Sequence, residues 1–112
     1  MKGCVFCKII NGDLPSDKIY EDDSFIVIRD INPVYRTHLL IITKKHISSV
    51  NEIEDPDRDI FSTVFLVAKK VAAKEGVEVN GYRLTVNCGK DAGQIVSHFH
   101  MHLLAGEPLR NL

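Results

Sequence analysis

Ser97-His98-Phe99-His100-Met101-His102-Leu103-Leu104 holds three of the five histidines in the chain. They alternate strictly with Phe99, Met101 and Leu103. A period of two is that of a β-strand, whose successive side chains point to opposite faces. The alternation predicts three imidazoles on one face and an apolar set on the other. Neighbouring imidazoles then stand about 6.6–7 Å apart at Cα, two residue rises. Imidazoles so placed converge on one small group: a neutral ring attacks, a protonated ring donates to an anion. Three readings are open at this point. One is a solvated, histidine-rich face. The second is a three-histidine metal site of the catalytic zinc kind. The third is an anion site in which one histidine is a nucleophile toward phosphorus.

This strand is expected to run from His98 to Ala105, preceded by a strand from Tyr82 to Asn87, with the polar, Gly-containing loop Cys88 to Gln94 between them. Thr37 to Thr43 (Thr-His-Leu-Leu-Ile-Ile-Thr) is nearly continuously apolar, as in a central strand covered on both faces. Lys18 to Glu21 and Ser24 to Arg29 read as a hairpin around Asp22-Asp23. Cys4 to Ile10 is a short helical turn closed by Asn11-Gly12. One long helix is expected from Asp55 or Pro56 to Glu75. Asp55 is a plausible N-cap, Pro56 suits the first helical position, and Gly76 suits the residue past the end. Its apolar stripe is Ile60, Val64, Val67, Val71 with Phe61, Phe65, Ala68, Ala72. The pattern is α+β: a sheet of about five mostly antiparallel strands, one long helix and a short N-terminal helix.

Composition bounds the function. At 112 residues, 45% hydrophobic and 26% charged, the chain is expected to be a single domain spanning residues 1–112. Fourteen Lys and Arg against 15 Asp and Glu give a net charge of −1, which argues against a nucleic-acid partner. No apolar run approaches the roughly 18 residues of a membrane span, and no signal-peptide pattern follows Met1. An odd count of three cysteines fits a reducing compartment. A soluble cytoplasmic protein is expected. Cys4-x-x-Cys7 alone is a weak signal: two buried thiols, a redox pair or half a zinc site. Cys88 reads as a small buried residue.

His98-x-His100-x-His102-Leu103-Leu104 resembles the signature of the histidine triad (HIT) superfamily. Phe6 with Lys8-Ile9-Ile10, Tyr20-Glu21-Asp22-Asp23, Asp30-Ile31-Asn32-Pro33, Lys44-Lys45-His46-Ile47, Gly81-Tyr82-Arg83, Asn87 and Gly93-Gln94 resemble its Hint branch, the histidine triad nucleotide-binding proteins, in order and spacing. The resemblance implies a HIT-like fold, a homodimer, a purine nucleotide ligand such as AMP or GMP, and hydrolysis of nucleoside phosphoramidates through a nucleotidyl-histidine. His102, where the nucleotidyltransferase branch carries Gln, implies a hydrolase.

Residue by residue, the resemblance makes His100 the nucleophile and His98 the leaving-group-side histidine. It makes His102 a donor to phosphate oxygen and His46 the upstream, fourth histidine. Asp30 would hold the ribose hydroxyls. Phe6, Ile9, Leu14, Ile28 and Ile31 would wall the base pocket. Asn87 and the Gly93-Gln94-Ile95-Val96 backbone would form the phosphate edge, with His100 and His102. Members with the N-terminal cysteine pair imply Zn²⁺ on Cys4, Cys7, His46 and His98, structural rather than catalytic. Two departures are expected to affect rate. Ile95 stands where the branch has Ser or Thr, and Gly106 to Leu112 lacks an aromatic-Pro-Pro-Gly tail. The alternatives to a phosphoramidase are a nucleotide-binding regulatory protein with vestigial catalysis and a zinc-dependent hydrolase.

Overall fold

Five strands form one antiparallel sheet: β1 Lys18–Glu21, β2 Phe25–Arg29, β3 Thr37–Thr43, β4 Tyr82–Thr85 and β5 His100–Ala105, in the order β1-β2-β3-β5-β4. The computed structural model describes residues 3–112. The hairpin and the central strand lie where the sequence placed them, whereas β4 ends at Thr85, short of the expected Asn87, and β5 begins at His100, two residues after the expected His98. The last strand in sequence, β5, lies between β3 and β4.

Alternation along the central strands assigns each face. Phe25, Val27, Leu39, Ile41, Met101, Leu103 and Ala105 point to one side. There they meet Val64, Val67, Ala68, Val71 and Ala72 of the helix α3, Val64–Lys74. Ile26, Ile28, Leu40 and Ile42 point to the other side and meet Phe6 of α1, Val5–Ile10. With both faces covered, β2 and β3 carry unbroken apolar runs. Leu39, Ile41 and Ile42 are fully buried, and truncating any one to Ala costs about 2–5 kcal/mol. The register pairs Leu40 with His102 and Ile42 with His100. The histidines of β5 therefore lie on the α1 face.

The long helix is interrupted. A 3₁₀ turn at Asp55–Asp57 leads into α2, Arg58–Phe61, and α3 begins only at Val64. Ser62 Oγ donates to Asp59 O at 2.9 Å and Thr63 Oγ1 to Ile60 O at 3.0 Å. Hydroxyls that take backbone carbonyls compete with the helical ladder. The cap is Glu54 rather than Asp55: its N–H donates to Asp57 Oδ2 at 3.0 Å. Phe65, about 100° around the helix from Val64, falls at the margin of the stripe and is 65% exposed. His98 and Phe99 precede β5 in a bend, so only two of the three triad histidines are strand residues. Cys88 is half-exposed rather than buried; the Ser49 hydroxyl and the Asn51 N–H hold its thiol below the ordinary value.

Gly106 ends β5 with φ +89°. A Cβ there would lie 2.9 Å from Thr37 Oγ1 and 3.1 Å from Thr37 N. The chain leaves β5 so close to the start of β3 that only glycine fits. Among the described residues, no helix is long and apolar enough to cross a membrane.

Candidate active site and metal centre

His100 is almost wholly buried on the α1 face. Its Nδ1 lies 2.7 Å from the His98 carbonyl oxygen. A carbonyl only accepts, so Nδ1 carries the proton and Nε2 is left with a free lone pair. Phe6 meets this ring edge-on, centroids 5.1 Å apart, and His102 does likewise at 5.1 Å. The Phe6 and His102 rings thus flank the His100 ring, and in its neutral form the free lone pair is on Nε2.

On one flank, the side chains of Cys4, Cys7, His46 and His98 converge. Their donor atoms all lie within 4.8 Å of one another. Cys4 starts α1 as its N-cap, its Sγ accepting the Cys7 N–H at 3.4 Å, so the first helical turn presents both sulfurs. His98 Nδ1 is 3.3 Å from Cys4 Sγ and 3.5 Å from Cys7 Sγ; His46 Nδ1 is 3.2 Å from Cys7 Sγ and 3.1 Å from His98 Nδ1. The loop carrying His46 is tied down by Thr43 Oγ1–H to Lys45 O at 2.8 Å and by the Lys45 ammonium on the buried Asp57 carboxylate. His98 Nε2 lies 2.7 Å from Thr43 O and must be the protonated nitrogen, so Nδ1 offers the cluster a lone pair. Around one tetrahedral Zn²⁺, two nitrogens stand about 3.3 Å apart and a nitrogen and a sulfur about 3.6 Å. The donor set, its spacing and the carbonyl behind His98 all fit Zn²⁺. Burial and the neighbouring Cys4 push the Cys7 thiol up, which a bound cation would reverse.

On the other flank sit Asp30, His38 and His102. His38 Nε2 is 2.9 Å from His102 Nδ1 and 3.3 Å from Asp30 Oδ2. Burial lowers the pKa of His38 against the opposing pull of Asp30. Burial, then the charges of His100 and His38, push His102 down to about 4. Both rings are neutral at pH 7.

A cavity of about 700 Å³ opens over this half of the sheet. Phe6, Ile9, Leu14, Ile28 and Ile31 form its apolar wall, with Asp30 beside them. Asn87, Gly93, Ile95 and Val96 border the opposite side, where His100 and His102 reach it. Gln94 is in this loop but its side chain does not line the cavity. Its Nε2 donates to Ser48 O and Val96 O, and its Oε1 accepts from the Gly89 N–H. Gly93, at φ +81°, turns the loop back toward the sheet. A second, smaller hollow of about 410 Å³ adjoins it across Ile95 and Val96, beside Cys4, His46 and Ser48. Ile95 is 93% exposed.

The HIT domain family matches residues 11–109. This chain belongs to the HIT domain family. It is similar to the purine nucleoside phosphoramidase of Escherichia coli, 43% identical over 105 residues covering 94% of this chain and 88% of that protein. It superimposes with TM-score 0.96 on a HIT family hydrolase from Clostridium thermocellum, 46% identical, covering 100% and 97% of the two chains. A Zn-bound histidine triad family protein from Mycobacterium smegmatis is 33% identical with TM-score 0.82, covering 94% and 76%.

In this HIT domain the sequence motif brings His100 and His102 to the cavity. It does not bring His46 and His98 there: their rings lie with the cysteines, and the upstream histidine that touches His102 is His38. That residue escapes a reading of Thr37 to Thr43 as one apolar run. The available signal is the period of β3, in which His38 shares a face with Leu40 and Ile42, and a lone imidazole inside a buried strand needs a partner.

Proposed function

We propose that this HIT protein binds purine nucleoside monophosphates such as AMP or GMP and hydrolyses the phosphorus–nitrogen bond of nucleoside phosphoramidates. The observation that carries the reading is the His100 Nδ1–H donated to the His98 carbonyl at 2.7 Å, which leaves Nε2 as a neutral nucleophile beside the cavity. Nε2 attacks the α-phosphorus, the N–P bond forms as the P–amine bond breaks, and the amine departs with a proton from water. Water then cleaves the nucleotidyl-histidine, returning the imidazole and releasing the nucleoside monophosphate. His102 donates from Nε2–H to a phosphate oxygen. The Gly93 to Val96 loop supplies backbone N–H groups to the same oxygens, which suits a chain of net charge −1. The apolar wall takes the base, and Asp30 the ribose hydroxyls. The similarity to the E. coli purine nucleoside phosphoramidase supports the substrate class.

Cys4, Cys7, His46 and His98 would hold one Zn²⁺. A set of four protein donors is closed, so the ion would fix α1 and the loop before β5 rather than activate water. His46 and His98 thus serve the reaction through placement: the His98 side chain is committed to the cluster and its carbonyl to His100.

The exposed Phe65 and Leu66 of α3 and the free edge of β4 support a homodimer built on that side; sedimentation as a monomer would exclude it. Three cysteines with no disulfide among them support a cytoplasmic location. The decisive assay is turnover of adenosine 5′-phosphoramidate by wild type and by His100→Ala. Equal rates for the two would remove the nucleophile from the proposal.

A further inference from the structure

The row Asp30, His38, His102 contains a proton with two possible destinations. The Val34 N–H donates to His38 Nδ1 at 3.2 Å. Nδ1 is therefore an acceptor, and in the neutral ring the proton sits on Nε2. That single N–H faces His102 Nδ1 at 2.9 Å and Asp30 Oδ2 at 3.3 Å. When it goes to His102, the second ring must carry its own proton on Nε2, the tautomer that donates into the cavity. When it goes to Asp30, His102 is free to adopt the other tautomer. The carboxylate is constrained as well. Asp30 Oδ1 accepts the Asn32 N–H at 2.8 Å, and Oδ2 is the oxygen that faces His38 at 3.3 Å. The Asp30 N–H donates to His38 O at 2.9 Å, so main-chain and side-chain bonds hold the two residues as one unit.

We propose that His38 is a positioning residue that couples sugar recognition to the phosphate donor: ribose hydroxyls take Asp30 Oδ2 and thereby commit the His38 Nε2–H to His102. The proposal rests on the nucleotide reading of the cavity and deepens it. An imidazole that is set as a donor only when the sugar is in place stabilises the transition state more than the ground state. The 2′ and 3′ hydroxyls therefore raise kcat as well as lower KM, and Asp30 is a selector for ribonucleotides in rate as well as in binding.

The test compares adenosine 5′-phosphoramidate with its 2′,3′-dideoxy analogue in wild type, His38→Ala and His38→Gln. In wild type the dideoxy substrate loses roughly three-fold or more in kcat in addition to its rise in KM. His38→Ala lowers kcat for the ribose substrate to the dideoxy level and erases the kcat difference, while the KM difference persists because Asp30 remains. His38→Gln, whose side-chain amide N–H replaces the imidazole Nε2–H, restores part of the kcat difference. Discrimination confined to KM in wild type, or a kcat ratio unchanged in His38→Ala, overturns the proposal. A second readout does not depend on turnover. The ¹⁵N spectrum of His102 shifts toward the Nδ1-acceptor tautomer when AMP binds to wild type and not when 2′,3′-dideoxy-AMP binds; identical spectra with both ligands overturn the proposal. If wild type turns over neither substrate, the phosphoramidase reading falls, and the two spectra alone decide the coupling. They also decide it if His38→Ala fails to fold.

Discussion

The two histidine clusters beside His100 are built from similar parts and differ in where their protons sit. In the Cys4, Cys7, His46, His98 cluster, the one fixed proton of His98 points outward to Thr43 O, and a lone pair points inward. Two sulfurs and a second imidazole nitrogen crowd the same point. In the Asp30, His38, His102 cluster, a proton points inward: the Val34 N–H occupies His38 Nδ1 and turns its Nε2–H toward an acceptor. Lone pairs converging on one point suit a cation, and a donor facing an acceptor suits a relay. Both groups pass a simple distance criterion for metal ligands, so hydrogen-bond direction separates them where distance cannot.

The largest effect expected is at the residue between them. His100→Ala loses at least about 10³-fold in turnover, since no other neutral nitrogen stands in its place, while AMP binding persists because the apolar wall and Asp30, proposed to take the base and the ribose, are untouched. Abolished binding, measured by calorimetry, would show instead that His100 holds the pocket open.

Metal content separates the clusters directly. Purified wild type carries about one Zn²⁺ per chain. Cys4→Ser lowers that content and drops Tm by roughly 5 °C or more, and His38→Ala leaves the content at wild type. Loss of metal in both variants would place the ion in the wrong cluster, and a metal-free wild type purified without chelator would dispose of it altogether.

Much of this arrangement was legible in the residues. The His/apolar alternation put His100 and His102 on one face because β-strand periodicity is a local property. The hairpin was legible in the polar turn at Asp22-Asp23 and the central strand in the nearly unbroken apolar run Thr37–Thr43, both also local signals. Interactions distant in sequence did not. Cys4 and His98 are 94 residues apart and His38 and His102 are 64 apart. Only the family resemblance joined the first pair, and it left the second unjoined. His98 broke the strand pattern because its main chain bends just before β5. The break inside the long helix is not legible, because the hydroxyl competition at Ser62 and Thr63 leaves no mark in an apolar stripe.

Acid sharpens the contrast from the relay side. The His102 pKa falls from 6.5 in the unfolded chain to about 4 in the fold. The unfolded state therefore binds a proton that the native state refuses. Stability is full above pH 6.5 and is lost as pH falls toward 4, at up to about 1.4 kcal/mol per pH unit for this ring. His38, also lowered by burial, acts in the same direction. In denaturant melts of chelator-treated protein, His102→Gln flattens the slope between pH 6.5 and 4. An unchanged slope would mean that the ring is not desolvated as the fold implies.

The smallest expected effect lies at Ile95, on the rim between the two hollows. Ile95→Ser restores a hydroxyl donor beside the phosphate edge and raises kcat for phosphoramidates several-fold, about 1 kcal/mol. AMP affinity and Tm barely move, because the backbone N–H remains and the side chain is 93% exposed. A lower Tm with flat kcat would assign Ile95 a purely structural role.

The place of β5 in the sheet also has a consequence for how the protein is made. It is the last of the five strands to leave the ribosome, yet it fills the gap between β3 and β4 and makes more sheet contacts than an edge strand. Until it arrives, β3 presents an apolar strand edge with nothing beside it, and no half-built catalytic pocket exists to bind a ligand. Pairing Ile42 with His100 closes a long loop before any of its contacts are gained, so this step is expected to limit the folding rate. A chain stalled before His100 is then a strand edge open to other chains. Binding and aggregation risk therefore exchange places at one event, the insertion of the histidine strand.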